Sequence, residues 1–260
     1  MALADQFGGL LIDLDGVVWI GREPVPGSPQ ALAAMQAAGK QLVFVTNNPT
    51  KPPAAYAKRL DEMGVAVEPE RIVTAGMVAA QLAGEAAGGG GAFVIGAETL
   101  KEMVAAEVGA VLDVEAGAEA AVVVVSGYRG FNFDELLAAK RALDGGAALV
   151  ATSRDPTMPM PGGEWPGTGA VLAAVETASG RTAEIAGKPE RRLFEIALEA
   201  MGGATSVAMV GDRVSSDIAG GRDAGLATVL ILSGTTNAEG AAVAEPRPDH
   251  VVADLAALLQ

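Results

Sequence analysis

Short apolar runs alternate with helical patterns along nearly the whole chain, and this alternation restricts the possible folds more than any other feature. GGLLIDLD, QLVFVTNN and SVAMVGD are typical of buried strands that end in polar residues, and a segment with helical spacing follows each of them. Strands that are separated by helices usually run parallel, because each helix returns the chain to the same end of the sheet. The pattern predicts an α/β fold with a doubly wound parallel sheet.

A second alternating series follows the four glycines at residues 88–91. These glycines are predicted to form a flexible turn and not a phosphate-binding loop, because no Lys-Ser/Thr pair follows them. Its strands are GAFVIG, AEAAVVVVSGY and AALVATS, and a loop rich in Pro and Gly is predicted over residues 154–166. We therefore predict a Rossmann-like core formed by residues 1–78 and 183–260, with an α/β cap domain inserted at residues 79–182.

Composition excludes several classes of protein. The chain has 32 acidic and 18 basic residues, a net charge of −14, so a nucleic-acid partner is not expected. It has no cysteine and a single histidine, His250, which rules out thiolate nucleophiles, cysteine-bound zinc and histidine triads within one chain. Without a signal-like leader or an apolar run of about 20 residues, we predict no membrane association and a cytoplasmic location.

Asp13 and Asp15 form the first candidate pair, in LLIDLDGVVWIG. Alternate residues of a strand face the same side, so both carboxylates should project together at the carboxyl end of the first strand, where open α/β sheets bind ligands. Gly16 allows a sharp exit and the close approach of a ligand. Two carboxylates this close require a cation or a shared proton.

Polar residues also end the second predicted strand and the segment before Pro189. Thr46, followed by Asn47 and Asn48, offers a hydroxyl and amides that can donate to phosphate oxygens. Lys188 stands just before a predicted helix that opens at Pro189, where its charge adds to that of the helix N-terminus.

Asp212 and Asp217, in VAMVGDRVSSD, lie at a strand end and in the first turn of the next helix. Magnesium prefers oxygen ligands and typically uses one or two protein carboxylates together with substrate phosphate.

Taken together, DLDG, VTNN, GKP and GDRVSSD resemble the four signatures of the haloacid dehalogenase superfamily of phosphatases, and the resemblance covers the whole chain. The class IIA branch, with a large α/β cap between the second and third signatures, is the most similar. That branch includes 4-nitrophenylphosphatase, phosphoglycolate, glycerol-phosphate and pyridoxal-phosphate phosphatase-like enzymes. The resemblance implies a magnesium-dependent hydrolase of small phosphate monoesters, either a monomer or a homodimer formed through the cap.

The resemblance also implies a role for each candidate residue. Asp13 would be the nucleophile that forms an aspartyl-phosphate, and Asp15 the acid toward the leaving oxygen and then the base toward water. The phosphoryl oxygens would be bound by Thr46, the main chain of Asn47 and Lys188. Mg²⁺ would be held by a set of oxygen ligands from Asp13, the main-chain carbonyl of Asp15, Asp212 and, in support, Asp217.

Four cap residues are expected to face the organic part of the substrate: Arg154, Asp155, Met158 and Trp165. Family members commonly carry Asn where this chain has Ser153, which leaves the substrate open. Three other functions remain as alternatives. The first is a phosphomutase, although the short 16–26 segment leaves no room for the cap usual in those enzymes. The others are a phosphate-accepting receiver domain, which would lack the paired aspartates, and a silent phosphate-binding protein, which would not need Asp15.

Overall fold

The computed structural model describes residues 2–160 and 163–260. In chain order the strands are β1 (Gly9–Asp13), β2 (Trp19–Ile20), β3 (Glu23–Pro24), β4 (Gln41–Thr46), β5 (Ile72–Thr74), β6 (Ala92–Ile95), β7 (Val111–Leu112), β8 (Val122–Val125), β9 (Ala148–Ala151), β10 (Thr157–Met160), β11 (Gly163–Pro166), β12 (Glu184–Ile185), β13 (Val207–Gly211), β14 (Ala227–Ile231) and β15 (His250–Val252).

The α-helices connect these strands. They are α1 (Ser28–Ala37), α2 (Pro53–Glu62), α3 (Ala75–Ala87), α4 (Glu98–Val108), α5 (Phe133–Asp144), α6 (Thr168–Ser179), α7 (Arg191–Met201), α8 (Ala219–Asp223) and α9 (Ala238–Ala242). A π-helical turn at Val214–Ile218 precedes α8.

The larger sheet is parallel and has the order β15-β14-β13-β1-β4-β5. Both of its faces are buried, because successive residues of β1 enter different hydrophobic clusters. Leu10 and Ile12 pack with α1 and α2, whereas Leu11 packs with α3 and α7. The predicted fold class, a doubly wound α/β sheet, is confirmed.

The winding direction of the larger sheet reverses beside β1. From β1 the chain adds β4 and then β5 on one side, and it later returns to add β13, β14 and β15 on the other. In sheets of this kind a crevice opens at the carboxyl ends of the two strands that flank the reversal. Those strands are β1 and β13, which end in or directly before Asp13 and Asp212.

The second sheet is also parallel and has the order β12-β9-β8-β6-β7. Its last strand, Glu184–Ile185, pairs with β9, although our sequence-based division assigned residues 183–260 to the core. Only two residues pair there, too few for a hydrophobic period to indicate which sheet they join. The division into core and cap stays a prediction, with the second crossing between the units better placed after Ile185.

The segment at residues 154–166 differs from the predicted loop. It contains an antiparallel hairpin in which Thr157 pairs with Pro166 and Met158 with Trp165; residues 161 and 162 lie outside the described residues. The prolines misled the sequence interpretation, because proline is excluded mainly from central strands. Each strand of a two-stranded hairpin has a free edge, where the missing N–H of proline costs little.

Candidate active site

The predicted site residues come from several chain segments that meet at one edge of the larger sheet. Asp13 ends β1, Thr46 ends the neighbouring β4, and Asp212 follows β13 on the other side of β1. Lys188 enters from the second sheet, three residues after β12. Because β1 is central and parallel to both neighbours, these strand ends are necessarily close together.

The Lys188 side chain lies between two carboxylates. Its Nζ is 2.5 Å from Asp13 Oδ1 and 2.6 Å from Asp217 Oδ1, and the three residues are only 3%, 6% and 1% exposed, respectively. Burial alone would lower the pKa of Lys188, but Asp13 and Asp217 outweigh burial and raise that pKa above its ordinary value. Lys188 is therefore a permanently charged ammonium within the site.

Asp13, Asp212 and Asp217 form a compact acidic cluster. One carboxylate oxygen from each lies within 4.8 Å of the others. Burial, and then repulsion from Asp217 and Asp212, raises the pKa of Asp13 well above its ordinary value, although Lys188 opposes the shift. Burial and the charge of Asp217 raise the pKa of Asp212 to about 6. The protein alone therefore holds these carboxylates in their charged form only at a free-energy cost.

This cluster fits a divalent cation. Three carboxylates face one ammonium, which leaves an excess of two negative charges in a buried site. Asp217 Oδ1, despite its closeness to Lys188, accepts no hydrogen bond of acceptable geometry from any described residue. Buried charges are normally paired or bound to metal, and an all-oxygen set of this kind suits Mg²⁺.

Two glycines make room for Asp212. Gly16 has a φ of 90°, and a Cβ atom there would lie 2.4 Å from Asp212 Oδ2. A Cβ atom at Gly234 would lie 2.1 Å from the same oxygen, and the next residue, Thr235, donates its backbone N–H to it at 2.5 Å. The loops after β1 and β14 can close on this carboxylate only because both positions lack a side chain.

Asp15 lies beside the cluster and has its own hydrogen-bond donors. Trp19 Nε1 donates to Asp15 Oδ1 at 3.1 Å, and Thr46 Oγ1 and Asn48 Nδ2 each donate to Asp15 Oδ2 at 3.4 Å. The carboxylate oxygens of Asp15 are not part of the acidic cluster among the described residues. The two predicted aspartates thus lie in different surroundings, one among carboxylates and one among neutral donors.

The Asn47 side chain joins three segments of the chain. Its Oδ1 accepts the backbone N–H of Lys188 at 2.7 Å, and its Nδ2 donates to Lys188 O at 3.0 Å and to Asp155 Oδ2 at 2.8 Å. A Cβ atom at Gly187 would lie 2.4 Å from Asn47 Oδ1. Asn47 therefore fixes the backbone that carries Lys188 and links it to the hairpin segment of the second unit.

A cavity of about 690 Å³ opens over these residues, between the larger sheet and the second unit. Its wall from the second unit contains Gly127, Ser153, Asp155, Thr157, Met158, Gly167 and Thr168. Its basic lining residues are Arg22, Lys51, Arg59, Lys188 and Arg213. This volume exceeds what inorganic phosphate needs and leaves space for an organic group.

Two of the four expected substrate-facing residues line the cavity, and two do not. Asp155 and Met158 line it. Arg154 instead makes a two-pronged ion pair with Glu176 of α6, at 2.8 and 2.9 Å, and Trp165 lies 4.9 Å from the guanidinium of Arg129. Within the described part of the chain, neither belongs to the cavity wall, so the expectation that they face the substrate is wrong for this conformation.

Sequence reasoning missed several residues of the site. Trp19, Arg59 and Thr235 line the cavity but were not predicted. Thr235 carried a usable signal, because SGTT follows an apolar strand in the same way as the polar runs after β1, β4 and β13. Trp19 and Arg59 carried none, since an apolar residue in a short turn and a cation on a helix are usually structural.

Family models match two parts of the chain. The model described as "Haloacid dehalogenase-like hydrolase" matches residues 10–109, and a related haloacid dehalogenase hydrolase-like model matches residues 185–258. The two matches contain the four predicted strand-end motifs.

Similar proteins extend over the whole chain. The chain is 36% identical to D-glycerol 3-phosphate phosphatase of Mycobacterium tuberculosis, covering 100% of this chain and 73% of that protein. It is 39% identical to human chronophin, covering 92% of this chain and 86% of that protein. A crystal structure of glycerol phosphate phosphatase from Mycobacterium tuberculosis in complex with magnesium has a TM-score of 0.89 at 36% identity, covering 100% of this chain and 78% of that one.

Proposed function

The chain belongs to the haloacid dehalogenase-like hydrolases and is a phosphatase of that family, and on this premise we propose that it hydrolyses glycerol phosphate or a closely related polyol phosphate through a phosphoryl group carried by Asp13. The family predicted from the four motifs is thereby confirmed. The observation that supports the chemistry is the buried cluster of Asp13, Lys188, Asp212 and Asp217 with Asp15 beside it.

Each residue has a part in this reaction. Asp13 Oδ attacks phosphorus and the ester oxygen leaves, taking a proton from Asp15; Asp15 then accepts a proton from the water that attacks the aspartyl-phosphate. Different roles require carboxyl groups in different surroundings, as Asp13 and Asp15 are. Lys188, Thr46 and the Asn47 main chain bind the phosphoryl oxygens, and positive charge at these oxygens is the main source of catalysis in phosphoryl transfer.

Magnesium is the cofactor of this phosphatase, and when bound it neutralises the charge that develops on the phosphoryl group. We propose that Asp13, the Asp15 carbonyl and Asp212 hold it, with Asp217 in support. The excess of two negative charges in the cluster supports this assignment. The cap closes the cavity above these residues and limits the entry of water.

The cavity wall that comes from the second unit favours a substrate whose leaving group is uncharged and carries hydroxyls. Among the described residues of that wall, Asp155 is the only one with a charged side chain, and the others are small, hydroxyl-bearing or apolar. A carboxylate accepts hydrogen bonds from sugar or glycerol hydroxyls and repels a second carboxylate. This wall therefore favours glycerol phosphate over phosphoglycolate.

A panel of phosphate esters tests the substrate class. Glycerol phosphate, phosphoglycolate, pyridoxal phosphate and nucleoside monophosphates are compared by kcat/KM with and without Mg²⁺. We expect glycerol phosphate to rank first and Asp155→Asn to improve phosphoglycolate by about tenfold, the effect of roughly 1.4 kcal/mol of relieved repulsion. A wild-type preference for phosphoglycolate would contradict the substrate assignment and leave the phosphatase chemistry intact.

Magnesium should stabilise the folded protein through the acidic cluster. At a concentration of 100 times its Kd, a ligand of the native state adds about 2.7 kcal/mol to the free energy of unfolding. We expect Asp212→Asn to lose most of the Mg²⁺-dependent rise in Tm while being at least as stable as wild type in a chelator, because repulsion within the cluster falls. Glu23→Gln, an exposed lining residue outside the cluster, is the control and should keep the full rise. A normal rise in Asp212→Asn would remove Asp212 from the metal site.

Met158 lines the cavity and Arg154 does not, and a pair of variants can check this difference. Arg154→Met should leave KM for glycerol phosphate within about twofold and lower the free energy of unfolding by at most about 1 kcal/mol, because its ion pair is at the surface. Met158→Ala should raise KM roughly tenfold, since it removes apolar contact from the cavity wall. If Arg154→Met raised KM more than Met158→Ala did, the segment at residues 154–166 would have to rearrange when substrate binds, so that Arg154 faces the cavity.

Assembly and location stay predictions. No helix within residues 2–160 and 163–260 is both long and apolar enough to cross a membrane.

We propose a homodimer through the cap, because Phe133 and Leu137 of α5 expose 76% and 37% of their surface. Apolar side chains of this kind are commonly covered in dimers. Equilibrium sedimentation of wild type and Phe133→Ser would test it.

A further inference from the structure

Trp19 lies next to the proposed acid and base of the reaction. The loop after β1 turns back on itself: the backbone N–H groups of Val18 and Trp19 both donate to Leu14 O, and Gly16 N–H donates to Trp19 O at 2.7 Å. These bonds place the indole beside Asp15, whose Oδ1 accepts the indole N–H at 3.1 Å. The contact thus comes from a closed backbone turn and not from the chance rotamer of a surface side chain.

The indole itself is held from several sides. Trp19 is fully buried, its ring is nearly parallel to that of Tyr56 with centroids 6.2 Å apart, and the guanidinium of Arg59 lies 3.9 Å from its centroid. Arg59 is anchored in turn by a hydrogen bond to Gly21 O at 2.9 Å. Asp15 is only partly buried, so the immobile partner in the pair is the indole.

The chemistry of the indole decides how Asp15 can present its proton. Indole N–H only donates and lies 3.1 Å from Asp15 Oδ1, whereas the donors of Thr46 and Asn48 lie 3.4 Å from Oδ2. Oδ1 is thus the more firmly held acceptor, and the proton of the acid form belongs on Oδ2. Oδ2 lies on the side of Thr46 and Asn48, which line the cavity together with Asp15. The Thr46 hydroxyl already accepts the backbone N–H of Asn48 at 3.0 Å, so its own hydrogen is available to Asp15 or to a substrate oxygen.

We propose that Trp19 is a positioning residue that orients Asp15 Oδ2, and the proton it carries, toward the leaving-group oxygen. This inference rests on the role proposed for Asp15 above. An alkoxide such as the glycerol oxygen leaves only with a proton, whereas 4-nitrophenolate leaves readily without one. A misplaced Asp15 should therefore impair the first substrate selectively.

The test compares kcat/KM for glycerol phosphate and for 4-nitrophenyl phosphate, because kcat/KM reports the steps up to formation of the phosphoenzyme and excludes its hydrolysis. Trp19→Phe keeps an aromatic ring and removes the N–H. We expect it to lower kcat/KM about tenfold for glycerol phosphate, the effect of losing one hydrogen bond, and no more than about twofold for 4-nitrophenyl phosphate. Tyr56→Phe, which keeps the ring beside the indole, should leave the ratio of the two values unchanged.

Asp15→Asn separates failure of this inference from failure of the proposed function. It should show the same selective loss as Trp19→Phe, and a larger one. If Asp15→Asn lowers both substrates equally, its role as the acid is wrong. If Asp15→Asn is selective but Trp19→Phe lowers both equally, or neither, the indole is structural and only the present inference is overturned. The Mg²⁺-dependent rise in Tm, unchanged in each variant, shows that the fold and the acidic cluster are intact.

Discussion

Asp13→Asn is expected to reduce kcat for every phosphate ester by roughly 10⁴–10⁶-fold, as removal of an enzyme nucleophile generally does. Asparagine has the same shape but cannot form an acyl-phosphate, so the loss should not depend on the leaving group. Turnover is measured with glycerol phosphate at saturating Mg²⁺. The fold should survive, because Lys188 keeps its ion pair with Asp217.

The matched control for Asp13→Asn is Asp15→Asn. This variant keeps the proposed nucleophile and loses only the proton transfer proposed for Asp15, a step that typically contributes about 10²–10⁴-fold. After mixing with radiolabelled substrate and quenching in acid, label should be found on the wild-type protein and never on Asp13→Asn. If Asp13→Asn retained activity within about tenfold of wild type, the aspartyl-phosphate route would be wrong even though the family assignment would stand.

The part of the site that could be predicted is the part that the sheet itself dictates. Asp13, Thr46 and Asp212 come from strands that lie side by side, and parallel strands bring their carboxyl ends to one edge whatever the side chains are. A polar residue after an apolar run is visible in the sequence, so the strand ends could be read without the structure. Thr235 belongs to the same class, because SGTT follows an apolar strand directly, and it was missed although the same signal was present.

The walls of the cavity could not be predicted in the same way. Asp155 and Arg154 are adjacent, yet one accepts a hydrogen bond from Asn47 while the other pairs with Glu176. Which of the two neighbours lines the cavity depends on partners 108 and 22 residues away along the chain. Local pattern contains no information about such partners, and this is why Trp165 was also misplaced.

The same limit applies to the boundary between core and cap. β12 has two paired residues, and the chain reaches Lys188 three residues after it ends. Lys188 is thus held by a strand of the second sheet and, through Asn47, by the end of β4 in the first. The position of the Lys188 ammonium therefore depends on both sheets, which a division of the sequence at residue 183 would hide.

Lys188→Met is expected to destabilise the protein most when metal is absent. The ammonium lies 2.5 Å from Asp13 and 2.6 Å from Asp217, and methionine of similar length would leave three buried carboxylates without a cation. Breaking a buried ion pair by removing one partner typically costs about 3–5 kcal/mol. We expect a loss of this size in the free energy of unfolding in a chelator, measured by denaturant titration, and a clearly smaller loss in Mg²⁺, which supplies the missing positive charge.

The double variant Lys188→Met with Asp217→Asn distinguishes charge balance from packing. It removes one positive and one negative charge together, so we expect most of the stability in chelator to return. Activity should not return, because the ammonium proposed to bind the phosphoryl oxygens is still missing, a loss of roughly 10²–10³-fold in kcat. A double variant as unstable as Lys188→Met alone would mean that the lysine stem, and not its charge, fills the space between the sheets. If instead Lys188→Met were as stable as wild type in chelator, the acidic cluster would already be protonated there, and its excess charge could not be what recruits magnesium.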